Sequence, residues 1–371
     1  MILENTAMKR RHIVSLVFAG TLFLVAAGPG FSAPTGDDAD TAPTSGGDDT
    51  WSTPPARPGG KIVLNVVSAS GDDPFATGKA AAEALAKKMG DAPLGAVIVS
   101  ECFEDDERKA KLIAGVCSIL PPNRVVGGST YGSFSQQGCS DFDSVSLLGI
   151  GGEGVSVSAA LVRQMGTSKL ALDEHRERIE KLLREAGARL AGKLRKTDQD
   201  RLLILTADAH SPKNQFLVEG VQQVTGRTFP ITGGSVNKNA GQTAVYFQGQ
   251  TQRDSAVALM LSGDFAVSLS GRRAKENDAV IRTAHEGAAE ALARFSGKPV
   301  GVLAFNCAGR RSKLERMEDE LTAIQKALGK DLPLFGCYCA GEIGPVDASE
   351  KKQGVLSGGT GWHVMFTVIG R

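Results

Sequence analysis

Residues 201–238, "RLLILTADAHSPKNQFLVEGVQQVTGRTFPITGGSVNK", contain two apolar runs on either side of an amphipathic segment. The first run, "RLLILTADAH" (201–210), ends in polar residues, and the second enters "FPITGGSVNK" (229–238) and ends in a glycine pair. Residues 211–226 between them have the apolar spacing of a helix. Short apolar runs that alternate with helical periods indicate β-α-β units with parallel strands. This stretch therefore predicts a buried strand, a helix and a second buried strand.

The same pattern occurs twice more in the chain. Its first copy comprises "GAVIVSECFE" (95–104), "DDERKAKLIAGVCSIL" (105–120) and "RVVGGSTYGSF" (124–134). Its third copy comprises "GVLAFNCAGR" (301–310), "SKLERMEDELTAIQKALG" (312–329) and "LPLFGCYCAGEIGP" (332–345). The landmark glycines Gly127, Gly233 and Gly336 lie 233 − 127 = 106 and 336 − 233 = 103 residues apart. A period of this length indicates tandem domain-like units rather than a short-repeat solenoid.

Between the copies the apolar residues alternate with a period of two, which is typical of antiparallel strands with one covered face. Examples are "GVSVSAALV" (154–162) and "GWHVMFTVIG" (361–370). Two longer helices are predicted at 73–90 and 276–297. The predicted fold class is α/β, with repeated strand-helix-strand units, mixed parallel/antiparallel sheets and two related domains.

The N-terminus has the pattern of an export signal. Lys9, Arg10 and Arg11 precede an apolar run over residues 13–27, and that run of 15 residues is short for a membrane span of roughly 20 residues. Small residues follow, so residues 1–33 are predicted to be a signal peptide, with an uncleaved N-terminal anchor as the alternative. The expected location is periplasmic or extracellular.

Residues 34–59 are rich in proline, glycine, serine, threonine and aspartate, and Trp51 is the one large apolar side chain among them. Such a segment buries too little apolar surface to offset its ordering entropy, so it is predicted to be a disordered linker. The folded part of the chain is predicted to begin near Lys61.

Composition narrows the class of protein. A hydrophobic content of 42% and a charged content of 22% are those of a globular protein. The chain has 42 basic and 41 acidic side chains, with no basic stripe. Nucleic acid and anionic membrane are therefore not expected as partners.

Two short motifs resemble a cofactor-binding motif and a catalytic motif, but neither has all the residues or the secondary structure that such a motif requires. "GIGGEG" (149–154) has dinucleotide-binding spacing, but a strand-like alternation follows it where a helix is required, so a glycine turn in a hairpin is predicted. Ser129 in "VVGGSTYG" has Gly127 two residues before it, but Tyr131 replaces the second glycine of a nucleophile elbow. No cofactor is predicted.

The six cysteines are assessed by their positions in the predicted units. Cys102 and Cys117 lie at opposite ends of a predicted helix, about 18 Å apart along its axis, too far for a disulfide. Cys307 and Cys337 end neighbouring strands, and Cys339 is two residues further on, so a bond from Cys307 to Cys337 or Cys339 is the alternative to buried free thiols. Zinc is disfavoured because Cys-x-Cys is tighter than the usual ligand spacing and no second pair exists.

Arg310 and Glu342 follow the last two strands of the third copy. Ligands in open parallel sheets bind outside the carboxyl ends of the strands. There an arginine suits a carboxylate and a glutamate suits an ammonium group. The alternative is that Arg310 and Glu342 pair with each other and stabilise the loops.

Taken in order, these motifs resemble the FIST (F-box and intracellular signal transduction) family of sensory proteins, with its FIST N and FIST C domains. The C-terminal resemblance lies in "GVLAFNCAGR", "LFGCYCAGEIGP" and the closing strand. The N-terminal resemblance lies in "DPFATGKAAAEAL", "RVVGGSTYGSF" and "FPITGGSVNKNAGQTAVYFQGQ". The resemblance covers roughly residues 60–371 and implies a FIST N-like domain at 60–260 and a FIST C-like domain at 261–371, which is shorter than expected for this family. It implies a non-enzymatic sensory module that binds small ligands such as amino acids. The residues that match the motifs of the family are Cys307, Arg310, Gly336, Gly341, Glu342 and Pro345.

The sequence thus predicts an exported ligand-binding protein that signals through a separate membrane partner. The expected ligand is an amino acid-like metabolite. The predicted binding residues are Cys307, Arg310, Gly336, Cys339, Gly341, Glu342, Ser129 and Ser235. The alternatives are a thiol-dependent enzyme that uses Cys307 or Cys339, and a ligand-free envelope interaction module.

Overall fold

The structure is a computed structural model that describes residues 48–237 and 243–371. Three consecutive units follow a short N-terminal strand, β1 (Thr50–Ser52). The first unit contains β2 (Val63–Ser70), α1 (Pro74–Met89), β3 (Leu94–Glu101), α2 (Asp106–Cys117), β4 (Val125–Ser129), β5 (Ser133–Ser135), β6 (Gly138–Ser140) and β7 (Ser144–Gly151).

The other two units repeat this order of elements. The second contains β8 (Val155–Val162), α3 (Leu172–Gly192), β9 (Asp200–Ala207), α4 (Asn214–Thr225), β10 (Ile231–Ser235), β11 (Val245–Phe247), β12 (Gln250–Gln252) and β13 (Ala256–Gly263). The third contains β14 (Ala266–Arg273), α5 (Asn277–Ala293), β15 (Pro299–Cys307), α6 (Ala308–Arg311), α7 (Met317–Leu328), β16 (Leu334–Cys339), β17 (Glu342–Gly344), β18 (Gly358–Thr360) and β19 (His363–Gly370).

The predicted β-α-β units are confirmed. The two strands of each copy pair in parallel: β3 with β4, β9 with β10, and β15 with β16. Gly127 and Gly233 have φ of +135° and +150°, and a Cβ at either position would overlap the backbone of the neighbouring strand. Glycine is therefore required in the middle of each of these strands.

The units exchange short strands in a ring. Strands β5 and β6 leave the first unit and extend the sheet of the third, β17 and β18 extend the sheet of the second, and β11 and β12 extend the sheet of the first. The sheet orders are β12-β11-β4-β3-β7-β2, β1-β8-β13-β9-β10-β17-β18 and β14-β19-β15-β16-β5-β6. Each unit therefore completes a neighbour, and the carboxyl ends of strands from different units meet.

One core lies between the sheets and three lie under the helices. The central core combines inner-face side chains of all three units, among them Ile98, Ile204 and Phe305. Separate clusters join each sheet to its helices, which are α1 and α2, α3 and α4, and α5 and α7. The helix starts follow local capping rules. Asp73, for example, accepts the backbone N–H groups of Phe75 and Ala76 at the start of α1.

The mixed α/β class and the two longer helices, 74–89 and 277–293, are confirmed. A third helix of this kind, α3, was not predicted, because its apolar positions are separated by many charged residues. Among the described helices none is long and apolar enough to span a membrane.

The linker prediction is wrong for residues 48–59. Strand β1 pairs antiparallel with β8, the indole of Trp51 packs against the central core, and Asp49 forms ion pairs with Arg163 and Lys193. One aromatic side chain and an exposed sheet edge are enough to order this segment. The rest of the predicted linker that precedes residue 48, and the signal peptide 1–33, lie outside the described residues.

The glycine turn at 149–154 is confirmed, but the hairpin prediction is wrong. Strand β7 belongs to the sheet of the first unit, whereas β8 belongs to the sheet of the second. The turn carries the chain from one sheet to the next, and the φ of +94° at Gly152 accommodates that change of direction.

Candidate functional site

The carboxyl ends of β15 and β16 bring three of the predicted site residues together. Cys307 and Cys339 are register partners on these parallel strands. Glu342 follows β16 and lies in β17, where it pairs with Gly234 of the second unit. We call Cys307, Cys339 and Glu342 the thiol-carboxyl site. It lies where the chain passes from the third unit into the sheet of the second.

Cys307 is at the outer side of this site, and 8% of the residue is exposed. Its Sγ accepts the backbone N–H of Trp362 at 3.2 Å. Burial and, to a smaller extent, the charge of Glu342 together raise the pKa of the Cys307 thiol to about 12, against the lowering effect of the backbone N–H groups of Trp362, Gly309 and Arg310. The thiol is therefore protonated at neutral pH, although donors for a thiolate are in place.

Glu342 is fully buried and only half satisfied. Its Oε2 accepts the backbone N–H of His363 at 2.9 Å, whereas Oε1 has no partner of normal hydrogen-bond geometry among the described residues. Burial raises the pKa of the Glu342 carboxyl to about 8, and the lowering effects of the His363 N–H and the Cys307 thiol are smaller. The carboxyl is thus a proton carrier close to neutral pH.

Arg310 does not belong to this site, and the alternative prediction that it pairs with Glu342 is wrong. The guanidinium is fully buried and pairs with Glu320 of α7 at 2.9 Å rather than with Glu342. It also donates to the side chains of Asn306 and Thr283 and to the carbonyl of Val280. Four of the five guanidinium N–H donors are used inside the protein, so no pair of them remains for a ligand carboxylate.

Glu320 is the centre of this second group. Its Oε2 accepts Asn306 Nδ2 and the Tyr338 hydroxyl, each at 2.9 Å. We call Asn306, Arg310, Glu320 and Tyr338 the arginine network. Both oxygens of its carboxylate are satisfied, which identifies the network as a support that joins α7 to β15 and β16.

The hydroxyl groups of Ser129 and Ser235 form hydrogen bonds to the backbone. The Ser129 Oγ donates to the carbonyl of Asn237 and accepts the N–H of Ala244, each at 2.9 Å. The Ser235 Oγ donates to the carbonyl of Ala209 at 2.7 Å. Ser129 therefore holds the segment that leads into the exchanged strand β11, and its hydroxyl already has both a donor and an acceptor partner. Ser235 joins the ends of β9 and β10 within the second unit.

The end of β16, which carries Cys337 and Cys339, borders a very small cavity between the three units. The cavity measures about 20 Å³, and its lining includes Cys337, Cys339, Gly128, Gly234, Thr206 and Phe305. The Sγ atoms of Cys337 and Cys339 lie 3.6 Å apart beside it. Ligand pockets usually measure about 300–1,000 Å³, so an amino acid does not fit this cavity without movement of the protein.

The two predicted glycines allow close packing. A Cβ at Gly336 would lie 2.1 Å from the ring of Phe134, which belongs to the exchanged strand β5. Gly341 has a φ of +154° and packs against Ser211 and Asn214 of the second unit. Both glycines are thus needed where one unit meets another, and Gly341 also sets the direction from which Glu342 enters its site.

Three important residues were missed by sequence analysis. Trp362 covers Gly309 with an indole that also lies under Lys275, and its backbone N–H is donated to Cys307. His363 supplies the N–H to Glu342. Glu320 is buried on α7 next to Leu321. A carboxylate within the apolar face of a helix was the signal for Glu320, but no local pattern indicated Trp362.

All six cysteines are free thiols in the structure. Within residues 48–237 and 243–371 no group of three or more His, Cys, Asp or Glu side chains is arranged to hold a metal ion. The thiol-carboxyl site therefore offers two thiols, a carboxyl group and backbone N–H donors. This set can transfer a proton, hold a cationic group or form a covalent bond at sulfur.

These observations define a mixed α/β protein of three strand-exchanging units with a buried polar site at the carboxyl ends of its strands. The model of the FIST N domain matches residues 93–288, more than half of the chain, and the model of the FIST C domain matches residues 238–345. The chain belongs to the FIST family, as its resemblance predicted. The general role of these domains is sensory, with ligand binding and signal transduction.

Two curated relatives from Mycobacterium tuberculosis are similar over a short region. They are the uncharacterized proteins MT0656 (strain CDC 1551 / Oshkosh) and Rv0628c (strain ATCC 25618 / H37Rv), each 41% identical over 89 residues. The match covers 24% of this chain and 22% of each relative. The chain thus spans about a fifth of the length of these relatives.

Two solved structures of cyanuric acid hydrolase are distantly similar. The enzyme from A. caulinodans has a TM-score of 0.42 and 11% identity, covering 83% of this chain and 99% of its own. A second cyanuric acid hydrolase has a TM-score of 0.41 and 11% identity, covering 84% of this chain and 99% of its own. At these values the likeness carries no argument about activity.

Proposed function

We propose that this protein is an exported FIST-type sensory protein that binds a small amino acid-like metabolite without turning it over. The observation that carries the proposal is the unpartnered Oε1 of Glu342, a fully buried carboxyl oxygen at the carboxyl ends of the strands. A buried polar atom without a partner costs free energy, and an ammonium group would supply the missing donors.

Binding at this site requires movement, because the neighbouring cavity measures about 20 Å³. Trp362 is the element best placed to move. Its backbone has a φ of +66°, which is unusual for a residue with a side chain, and its indole covers Gly309 beside Cys307. Displacement of this indole would open the route to Glu342 and couple ligand binding to a change at the boundary between the second and third units.

The direct test is a thermal-shift screen of the protein against the common amino acids and related metabolites. A ligand that binds the folded state raises the melting temperature by mass action. Glu342→Gln keeps the shape of the side chain and removes its charge, so it should abolish the shift. Glu101→Gln is the matched control, since Glu101 is a buried carboxyl whose two oxygens accept bonds from Tyr246 and Phe103.

A shift that survives in Glu342→Gln would move the binding site elsewhere, and flat curves with the whole panel would contradict ligand binding of this class. Export is tested separately. Fractionation of cells that express the full chain, followed by N-terminal sequencing, should find a processed protein outside the cytoplasm. A protein retained in the cytoplasm with Met1 intact would overturn that part of the proposal.

The receiver of the signal is, in this proposal, a separate membrane protein. Cross-linking in intact cells with and without the ligand found in the screen should capture it, and Glu342→Gln should make the captured amount independent of ligand. Equal capture with and without ligand by the unmodified protein would contradict signalling through this contact and would favour the envelope interaction module.

A further inference from the structure

Three thiols lie side by side on two strands of the third unit. Cys307 and Cys339 are direct register partners on β15 and β16, and Cys337 Sγ is 3.6 Å from Cys339 Sγ. Neighbouring strands are about 4.8 Å apart, within the Cα separation of about 4.4–6.8 Å that disulfides span. Cys307 and Cys339 therefore lie close enough to be joined without unfolding of either strand.

The polar surroundings differ among these thiols. Cys307 is the outermost, and its Sγ receives the backbone N–H of Trp362, with those of Gly309 and Arg310 also favouring its charged form. The fully buried carboxyl of Glu342 lies beside it with Oε1 unpartnered. In the first unit, Cys102 directly follows β3 and is also buried. The last register pair of β3 and β4 joins Glu101 to Ser129, so Cys102 has no second thiol as a register partner.

We propose that Cys307 is a site of oxidation by hydroperoxides, with Glu342 as its proton acceptor and Cys339 as the thiol that converts the oxidised Cys307 into a disulfide. This inference goes beyond the proposed binding function and does not require a metabolite to bind. The modification occurs once per molecule, so it does not need the rapid turnover of an enzyme.

The first step oxidises Cys307 by two electrons. When the Glu342 carboxyl is in its ionised form, the S–H proton of Cys307 passes to it, the sulfur attacks one oxygen of the hydroperoxide, and the O–O bond breaks. The leaving oxygen takes the proton from Glu342 and departs as water or an alcohol, which leaves Cys307 as a sulfenic acid. The N–H groups of Trp362 and Gly309 stabilise the negative charge on the sulfur during the attack.

The second step forms the disulfide. The Cys339 sulfur attacks the Cys307 sulfur, an S–S bond forms, and the S–O bond breaks. The hydroxide that leaves takes the proton of Cys339 and departs as a second water. For hydrogen peroxide the sum is two thiols and one peroxide giving one disulfide and two waters.

The position of Cys339 gives this bond a structural consequence. Its Sγ would lie 2.3 Å from a Cβ at Gly234, so the thiol fills the space of a missing side chain in the second unit. Movement of that sulfur towards Cys307 withdraws it from β10. Oxidation at one unit is thereby transmitted to the packing of the next.

The test is oxidation of the intact protein with hydrogen peroxide. Free thiols are then blocked with iodoacetamide and the digested protein is mapped by mass spectrometry. The expected product is a cross-link between the peptides that contain Cys307 and Cys339, with the loss of two hydrogen atoms. Cys102→Ser should form the same cross-link, Cys307→Ser should form none, and Cys339→Ser should hold a sulfenic acid on Cys307 that dimedone traps.

A bond between Cys337 and Cys339, uniform reaction of all six thiols, or no cross-link before the protein unfolds would overturn the proposal. Glu342→Gln should slow the reaction by roughly tenfold or more, because it removes the proton acceptor. Its fold is checked by circular dichroism, and an unchanged rate in a folded Glu342→Gln protein would exclude the role of Glu342. The metabolite screen uses fully reduced protein, so failure of either proposal leaves the other measurable.

Discussion

The arginine network and the thiol-carboxyl site both lie at the end of β15, and both bury a carboxyl group completely. In the network, Glu320 has an arginine, an asparagine and a tyrosine as partners. In the site, Glu342 has one backbone N–H on Oε2 and nothing of normal geometry on Oε1 within the described residues. A buried charge with all its partners supports the fold, whereas a buried carboxyl that lacks them is available for binding or proton transfer.

The largest expected effect comes from breaking the arginine network. Arg310→Ala leaves the Glu320 carboxylate buried without its cation, so the free energy of unfolding should fall by about 3–5 kcal/mol. Urea denaturation at neutral pH measures this loss. The double variant Arg310→Met/Glu320→Leu removes both charges and should recover most of it. If Arg310→Ala unfolds no more easily than the parent protein, the network is not a support.

The next effect concerns the pH dependence of Glu342. Its pKa is raised by burial from 4.5 to about 8, so the folded state holds this proton more tightly than the unfolded state does. The stability that the proton provides is complete below about pH 4.5 and is lost as the pH rises through about 8. Relative to Glu342→Gln, the parent protein should therefore lose on the order of 3 kcal/mol between pH 5 and pH 9.

Denaturant titrations of both proteins across this pH range provide the measurement. Arg310 is present in both, so its network contributes equally to the two curves. Parallel curves for the parent protein and Glu342→Gln would mean that the Glu342 carboxyl titrates normally and that the contrast between the two buried groups is wrong.

A smaller change within the network is Tyr338→Phe. The hydroxyl of Tyr338 donates to Glu320 Oε2 at 2.9 Å, and the same oxygen retains Asn306 as a second donor. Loss of one hydrogen bond to a charged acceptor should cost about 1–2 kcal/mol in unfolding free energy. If Tyr338→Phe lost as much unfolding free energy as Arg310→Ala, the hydroxyl rather than the guanidinium would be the main stabilising group of the network.

The smallest effect distinguishes two buried thiols. Cys307→Ser places a hydroxyl among backbone N–H groups and should cost less than about 0.5 kcal/mol, whereas Cys337→Ser places it in the central apolar core and should cost about 1 kcal/mol. Equilibrium unfolding of both variants at neutral pH tests the difference. Equal losses would mean that the surroundings of Cys307 are no more polar than those of Cys337.

Local patterns were sufficient for most of the fold. The period of the apolar residues identified the strands and helices of each copy, and the glycine landmarks identified where β4, β10 and β16 carry a backbone that approaches a neighbour closely. They also placed Cys307, Cys339 and Glu342 at one edge, because strands joined by a right-handed crossover lie side by side with their carboxyl ends together. These features depend on residues that are close in sequence, so a single amino-acid sequence is sufficient to predict them.

The partners of those residues depended on contacts that no local pattern contains. The ring of exchanged strands joins segments that lie about 110 to 200 residues apart in the sequence. Short strands such as β5 or β11 fit several sheet edges equally well by pattern. Arg310 pairs with Glu320 rather than with Glu342 because α7 packs against β15 and places the Glu320 carboxylate next to the guanidinium. Glu342 was left half satisfied because β17 enters the sheet of another unit, away from the cations of its own. Packing between units thus separated a structural arginine from a reactive carboxyl that the sequence had placed together.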